Sequence, residues 1–217
     1  MQKAIIFDMD GVIFDTENVI LRCWKVIAEK YNVSNIEQTF YKVIGTNVDE
    51  TKRILMETYG RDFPYEKFRG EYRERFYQKI AEEGIPIKKG VRELLSFLKI
   101  NGFRIGLASS TRQKVVLEEL SQAKLLDFFE VVVCGDMVAR SKPEPDIYLR
   151  ACEEMKITPS EVYAIEDSKN GIRSAHTAGL KVIHVPDIVK PDEETERLSD
   201  VVFKDLIEVR TYLARGL

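Results

Sequence analysis

Two aspartates stand two residues apart in Asp8-Met9-Asp10-Gly11, directly after the apolar run Ala4-Ile5-Ile6-Phe7. Just past a strand, that spacing lets both side chains point the same way while Gly11 permits a tight turn. One carboxylate can then attack a phosphorus centre while the other, protonated, donates to the leaving oxygen and later activates water. This is covalent catalysis coupled to general acid–base chemistry. A lone D-x-D is more often a turn or a cap. Here three further polar groups follow in order: the hydroxyls of Ser109-Ser110-Thr111, the lysine of Ser141-Lys142-Pro143-Glu144-Pro145, and the acids of Glu166-Asp167-Ser168.

Gathering these acids in one place is costly, since two unit charges ~4 Å apart repel by ~4 kcal/mol at an effective dielectric near 20. Something positive must be present. The oxygen-rich set of Asp8, Asp167 and a backbone carbonyl suits magnesium, which prefers octahedral oxygen ligands and keeps some waters. Lys142 supplies a further positive charge, and strand-end hydroxyls and amides can hold non-bridging phosphoryl oxygens. Zinc is a poor reading: His176 and His184 are the only histidines, and neither has ligand spacing. Both read as structural.

The elements that must position these groups are short Val- and Ile-rich runs, as in a buried parallel sheet. They are Ala4–Phe7, Ile105–Ala108, Val131–Val133, Val162–Ile165 and Val182–Val185, with Val201–Phe203 as a late edge strand. Helical segments separate most of them. Val91–Lys99 carries Leu94, Leu95 and Leu98 on one face, with Gly102 just beyond. Thr158-Pro159-Ser160-Glu161 reads as a capping box opening a short helix or turn, Gly179 closes the helix running through Ala175, and Pro186–Glu196 reads as a polar loop. The class is α/β, with a Rossmann-like, doubly wound parallel sheet. Ligands of such sheets bind outside the carboxyl ends of the strands, where the strand order reverses. The polar groups above lie at or between such ends.

The connection between the first two strands is far longer than the ~12 residues that a crossover needs. Its surplus carries helical patches at Ile20, Cys23, Trp24, Ile27 and Tyr31, at Ile54, Leu55 and Tyr59, and at Phe68, Tyr72, Phe76 and Ile80. The expectation is an all-helical cap domain at 16–82, inserted into a catalytic core of residues 1–15 and 83–217. The aromatic stripe reads as cap core.

Composition excludes several classes. Lys+Arg total 33 against Asp+Glu 36, so no basic footprint for nucleic acid is visible. The longest apolar runs fall far short of the ~20 residues needed to cross a bilayer. Met1-Gln2-Lys3 leads straight into a strand, without a signal-peptide layout. Cys23, Cys134 and Cys152, odd in number and far apart, read as buried free thiols. A cytoplasmic protein is expected, and a monomer.

The run Phe7-Asp8-Met9-Asp10-Gly11-Val12-Ile13-Phe14-Asp15-Thr16-Glu17 resembles the opening signature of the haloacid dehalogenase superfamily, and within it the β-phosphoglucomutase-like phosphatases. Leu107-Ala108-Ser109-Ser110, Ser141–Asp146 and Ile165–Gly171 match in order, so the likeness covers essentially the whole chain. It implies that Asp8 is the nucleophile and a magnesium ligand, and that Asp10 is the general acid/base, lending its backbone carbonyl to the metal. It implies that Ser109 hydrogen-bonds the phosphoryl group, while Lys142 neutralises it and positions Asp8. Asp167 would bind magnesium, with Glu166 assisting directly or through water; manganese or cobalt could substitute. The inserted helices would close over the substrate. Dehalogenases and phosphonate-cleaving relatives lack an acid two residues after the nucleophile, so Asp10 points to phosphate esters.

Small sugar phosphates are the expected substrates, hydrolysed through a phosphoaspartate. The alternative is a β-phosphoglucomutase, which interconverts β-glucose 1-phosphate and glucose 6-phosphate. For a mutase the resemblance implies a histidine where this chain has Ile20, and an arginine shortly after the cap glycine, where it reads Gly45-Thr46-Asn47-Val48. Both departures weaken the grip on a distal phosphate. A phosphoaspartate signalling receiver is the remote alternative, against which the strand-one D-x-D and the insertion argue. Glu17, Gly45, Thr46 and Asn47 from the cap, and Ser110, Thr111 and Arg112 from the core, are the candidate sugar contacts.

Overall fold

The computed structural model describes residues 4–44, 46 and 48–216. Its chain divides into two compact units, residues 1–15 with 86–217, and residues 16–85.

The first unit is built on six strands: β1 (Ala4–Phe7), β2 (Arg104–Ser109), β3 (Val131–Cys134), β4 (Val162–Glu166), β5 (Lys181–His184) and β6 (Val201–Val202). They lie in the order β3-β2-β1-β4-β5-β6, and every pairing is parallel. The order runs outward in both directions from β1, so β1 is the switch point of a doubly wound sheet. The central strands β1, β2 and β4 are short apolar runs because both of their faces are covered. Ile6, Ala108, Val133 and Ala164 pack on one face with Ile147, Tyr148, Ala151 and Met155 of α7 (Asp146–Met155) and Ile172 and Ala175 of α8 (Lys169–Thr177). Gly106 lets α7 approach closely: a Cβ there would lie 3.0 Å from the sulfur of Met155. Alternation turns Ile5 and Phe7 to the other face, where α5 (Val91–Ile100) packs on β2 and α10 (Leu206–Ala214) on α5. The unit is completed by α6 (Gln113–Gln122) and α9 (Glu193–Leu198).

Two local expectations are corrected here. The segment Pro159–Glu161 is a single 3-10 turn, and Thr158 makes no side-chain cap, so the S/T-x-x-E pattern forms no capping box. The polar stretch Pro186–Glu196 is not wholly a loop, because it contains most of α9. Asp192 accepts from the backbone of Thr195 at 2.9 Å, and the Thr195 hydroxyl accepts in return from the backbone of Asp192.

The second unit holds α1 (Thr16–Lys30), α2 (Ile36–Val43), α3 (Val48–Tyr59) and α4 (Tyr65–Glu83). Its centre is aromatic. Trp24 meets Phe40 and Phe68 edge to face, with ring centroids at 5.1 and 5.2 Å; such pairs add about 0.5–1.5 kcal/mol each beyond their buried area. Phe63 and Tyr59 extend the cluster, and Leu55 and Phe68 are fully buried. The buried residues of α1 are Thr16, Val19, Leu21, Cys23, Trp24 and Ala28, so Cys23 and Trp24 of the expected face go inward while Ile20 and Ile27 are only half-buried. Helix α2, which the sequence reading passed over, buries Ile36, Thr39, Phe40 and Val43 at helical spacing. All three cysteines are buried free thiols. No helix among the described residues is long and apolar enough to cross a membrane.

Gly70 lies exposed within α4 at a negative φ, and a Cβ there would meet nothing within 4 Å. Gly70→Ala is therefore expected to stabilise the protein by about 0.5–1 kcal/mol through the lost backbone entropy of the unfolded chain. A urea titration should show a raised midpoint with an unchanged slope.

Candidate active site

Phe7 pairs with Leu107 on one side and Ile165 on the other, which sets Asp8 level with Ala108 and Glu166. The amide of Asp8 donates to the carbonyl of Ile165 at 2.9 Å, fixing that level. Because Ile6 and Ala164 face α7 and α8, side chains two residues further on emerge on the same face. Two carboxylates from strands far apart in sequence thus meet at the switch point.

Lys142, from the loop before α7, completes the pair. Its Nζ donates to Asp8 Oδ1 at 2.5 Å, to Glu166 Oε1 at 2.7 Å and to the carbonyl of Ala108 at 2.9 Å. An ammonium has three N–H groups, so this one is saturated. Glu166 is fully buried, and it takes a second bond on Oε1 from the phenol of Tyr148 at 2.6 Å and one on Oε2 from Ser168 at 3.3 Å. The Ser168 hydroxyl also caps α8 by accepting from Gly171 N at 3.1 Å.

Two bare glycines make room for the acids. A Cβ on Gly171 would lie 2.0 Å from the carboxylate of Glu166, and one on Gly11 would lie 2.1 Å from Oδ2 of Asp167. Gly11 is also at φ +82°, where an L side chain is strained, and its amide closes the turn onto Phe14.

Asp10 accepts from the Thr111 hydroxyl at 3.0 Å. Ser109, fully buried at the end of β2, accepts from the Thr111 amide at 3.1 Å and keeps its own O–H to donate. Ser110 is exposed, and its carbonyl rests against Gly135; Arg112 is exposed and opens α6 with its backbone. Glu17 lies in the first turn of α1, and the hydroxyl of Thr46 bonds Val43 O at 2.7 Å, both in the helical unit. Gly45 and Asn47 lie outside the described residues.

The electrostatics follow from one ammonium among several acids. Burial pushes the carboxyl of Asp8 up to about 8; Lys142 opposes this, and the charges of Glu166 and Asp10 add to it. For Lys142 burial acts downward, but Asp8 and Glu166 outweigh it and hold the ammonium above its ordinary range. Burial, with Glu166 beside it, pushes the Tyr148 phenol well up, so it is a donor at neutral pH. On α6, Glu119 is raised to about 7, by burial first and then by the charges of Asp10 and Glu118.

Asp8, Glu166 and Asp167 each offer an oxygen within 4.8 Å of the others. An all-oxygen donor set with excess negative charge, in a cradle that glycine alone leaves open, fits a hard divalent cation such as magnesium. His184, buried at the end of β5, takes no part in that set, and burial holds its imidazole below the usual range.

Tyr148 was not anticipated from sequence. In an amphipathic helix, an aromatic residue beside Ile147 and Ala151 reads as plain core, and only the three-dimensional partner reveals the use of its hydroxyl. Gly171 was seen only as part of a motif, because its contact with Glu166 spans a helix turn.

The model of the haloacid dehalogenase-like hydrolases matches residues 5–185. A phosphorylated carbohydrates phosphatase of Thermotoga maritima is 36% identical over 182 residues, which cover 84% of each chain. A beta-phosphoglucomutase of Bacillus subtilis is 32% identical over 189 residues, covering 84% of this chain and 83% of that one. Among solved structures, a HAD family hydrolase of Deinococcus radiodurans R1, with bound phosphate and sodium, matches at a TM-score of 0.84 and 25% identity, covering 99% of this chain and 96% of that one. The match spans most of the chain and includes every strand end of the site, so the chain belongs to the haloacid dehalogenase-like hydrolase family and stands there with the phosphoric monoester hydrolases.

Proposed function

We propose that this protein hydrolyses small phosphorylated carbohydrates, hexose phosphates among them, with Asp8 as a transient phosphoryl carrier. The carrying observation is the Lys142 contact at 2.5 Å, which aims one Asp8 oxygen while the carboxylate stays at the mouth of the switch point. The free Asp8 oxygen attacks phosphorus and the ester P–O bond breaks. Asp10 gives its proton to the departing sugar oxygen. Asp10 then takes a proton from water, which attacks phosphorus and releases Asp8 with inorganic phosphate. The Thr111 hydroxyl, 3.0 Å from Asp10, holds that acid in place for both transfers. The Ser109 hydroxyl donates to a phosphoryl oxygen. Magnesium, held by Asp8, Asp167, the Asp10 carbonyl and, directly or through water, Glu166, would offset the negative charge of the phosphoryl group.

The name of the Thermotoga maritima relative supports the sugar phosphate class. The Bacillus subtilis relative keeps a mutase as the second reading. Ile20 and Val48 favour hydrolysis, because neither can grip a second phosphate. Sugar recognition is assigned to Glu17, Gly45, Thr46 and Asn47 of the inserted unit, together with Ser110, Thr111 and Arg112. The same reading takes the enzyme as a cytoplasmic monomer without a nucleic-acid partner.

Asp8→Asn is expected to keep the circular dichroism of the parent and lose more than about 10³-fold in phosphate release; release near the parent rate would remove Asp8 as nucleophile. Exhaustive chelation should abolish turnover, and magnesium, or manganese or cobalt in its place, should restore it. Undiminished activity after chelation would contradict the assigned ligands. In parallel assays, phosphate release from hexose 6-phosphates should exceed interconversion of β-glucose 1-phosphate and glucose 6-phosphate. Efficient isomerisation with little free phosphate would instead make the protein a mutase.

A further inference from the structure

Tyr148 is fully buried in α7, and its side chain meets the site twice. Its hydroxyl donates to Glu166 Oε1 at 2.6 Å, the same oxygen that receives Lys142 at 2.7 Å. The face of its ring lies 5.0 Å from Lys142 Nζ, within the range of a cation–π attraction. One side chain therefore touches both members of the Lys142–Glu166 pair, without touching Asp8 by hydrogen bond. A phenylalanine would fill the same space among Ile147, Ala151 and Ile172, so packing alone does not call for the hydroxyl.

We propose that Tyr148 is a positioning residue: its hydroxyl anchors Glu166 as the counter-charge of Lys142, so that Glu166 reaches the cation through water while Asp8 and Asp167 face the cation and the phosphoryl group. The geometry assigns separate duties to the two neighbouring acids. Glu166 accepts on both oxygens from protein donors, Lys142 and Tyr148 on one and Ser168 on the other. Asp167 lies over Gly11, at the turn that follows Asp8. Without the phenol, Glu166 keeps Lys142 but loses the bond that fixes its direction. The carboxylate can then swing with the ammonium, and Lys142 no longer holds Asp8 at one angle. The effect reaches the reaction only through Glu166 and Lys142.

The inference rests on the assigned roles of Asp8 and Lys142, and the test separates the two. Tyr148→Phe keeps the ring and its volume and removes one oxygen. Magnesium binding to the substrate-free protein, followed by calorimetry with magnesium chloride alone, should weaken by about tenfold, the lower end of what loss of an outer partner of a metal site costs. The kcat for phosphate release should fall by a similar factor, with the substrate KM within about twofold. In a Glu166→Gln background, the same substitution should change magnesium affinity by less than about twofold, because the residue through which it acts is already altered. A purely structural role would lower the urea midpoint in both backgrounds and leave the magnesium affinity of the folded protein unchanged. That result overturns the proposal, as does a parent protein that turns over substrate yet binds no magnesium. If the parent binds magnesium and Tyr148→Phe weakens it, while neither releases phosphate, the positioning role stands and the proposed reaction falls. Should Tyr148→Phe not fold, calorimetry on Ser168→Ala, which frees the other Glu166 oxygen, decides the point: unaltered magnesium affinity there overturns the anchoring of Glu166.

Discussion

Lys142 stands between Asp8 and Glu166 with almost no access to water: its side chain is 6% exposed, and theirs are 10% and 0%. Removing such charges from water costs several kcal/mol per ion, which mutual attraction recovers only when the geometry is good and the remaining donors and acceptors are satisfied. Here the geometry meets that condition. All three N–H groups of the ammonium have acceptors, and both oxygens of Glu166 have donors. Breaking any one member would strand a buried charge, so the arrangement is rigid by energetic necessity. One ammonium still leaves excess negative charge. That surplus makes the site receptive to a cation, and it adds to the burial that holds the carboxyl of Asp8 above its solution value.

The rest of the first unit can be read as the apparatus that brings these charges together. Parallel pairing on both sides of β1 fixes the height of Asp8 and Glu166 to a single rung. The packing of α7 on the same face brings Lys142 and Tyr148 up from one side. Gly11 and Gly171 supply the floor by having no side chain, and here the need is for space at a carboxylate as much as for backbone freedom. The Ser168 hydroxyl serves twice, satisfying the orphan amide of Gly171 in α8 and touching Glu166, so that a helix start and a charged site share one atom.

Much of this could be read from the chain. The strands were legible because runs buried on both faces are continuously apolar, and the polar groups at their ends stood out against them. Asp8, Asp10, Ser109, Lys142, Glu166 and Asp167 carried a chemical signal of their own. What escaped notice depended on partners. Helix α2 is short, and its Ile36, Phe40 and Val43 make a stripe only once Trp24 is there to receive Phe40. The start of α9 depends on a reciprocal pair, Asp192 with Thr195, whose threonine lies outside the usual acidic pattern. Thr158 had the right neighbours and still made no cap, because its short segment turns directly into β4. On α1 the aromatic contacts of Trp24 lie with Val19 and Ala28 inward, and Ile20 is half-covered.

The helical unit interrupts the chain between β1 and β2. Joining the ends of a flexible loop costs entropy that grows only with the logarithm of its length, about 0.6 kcal/mol per doubling. A connection shortened or lengthened twofold would therefore barely change how easily β1 finds β2. The sheet is indifferent to the size of what hangs from that junction, provided the insert folds by itself, and the aromatic centre around Trp24 and Phe68 gives this one a core of its own. Exchange of the insert would therefore leave the charge cluster of the first unit unaltered.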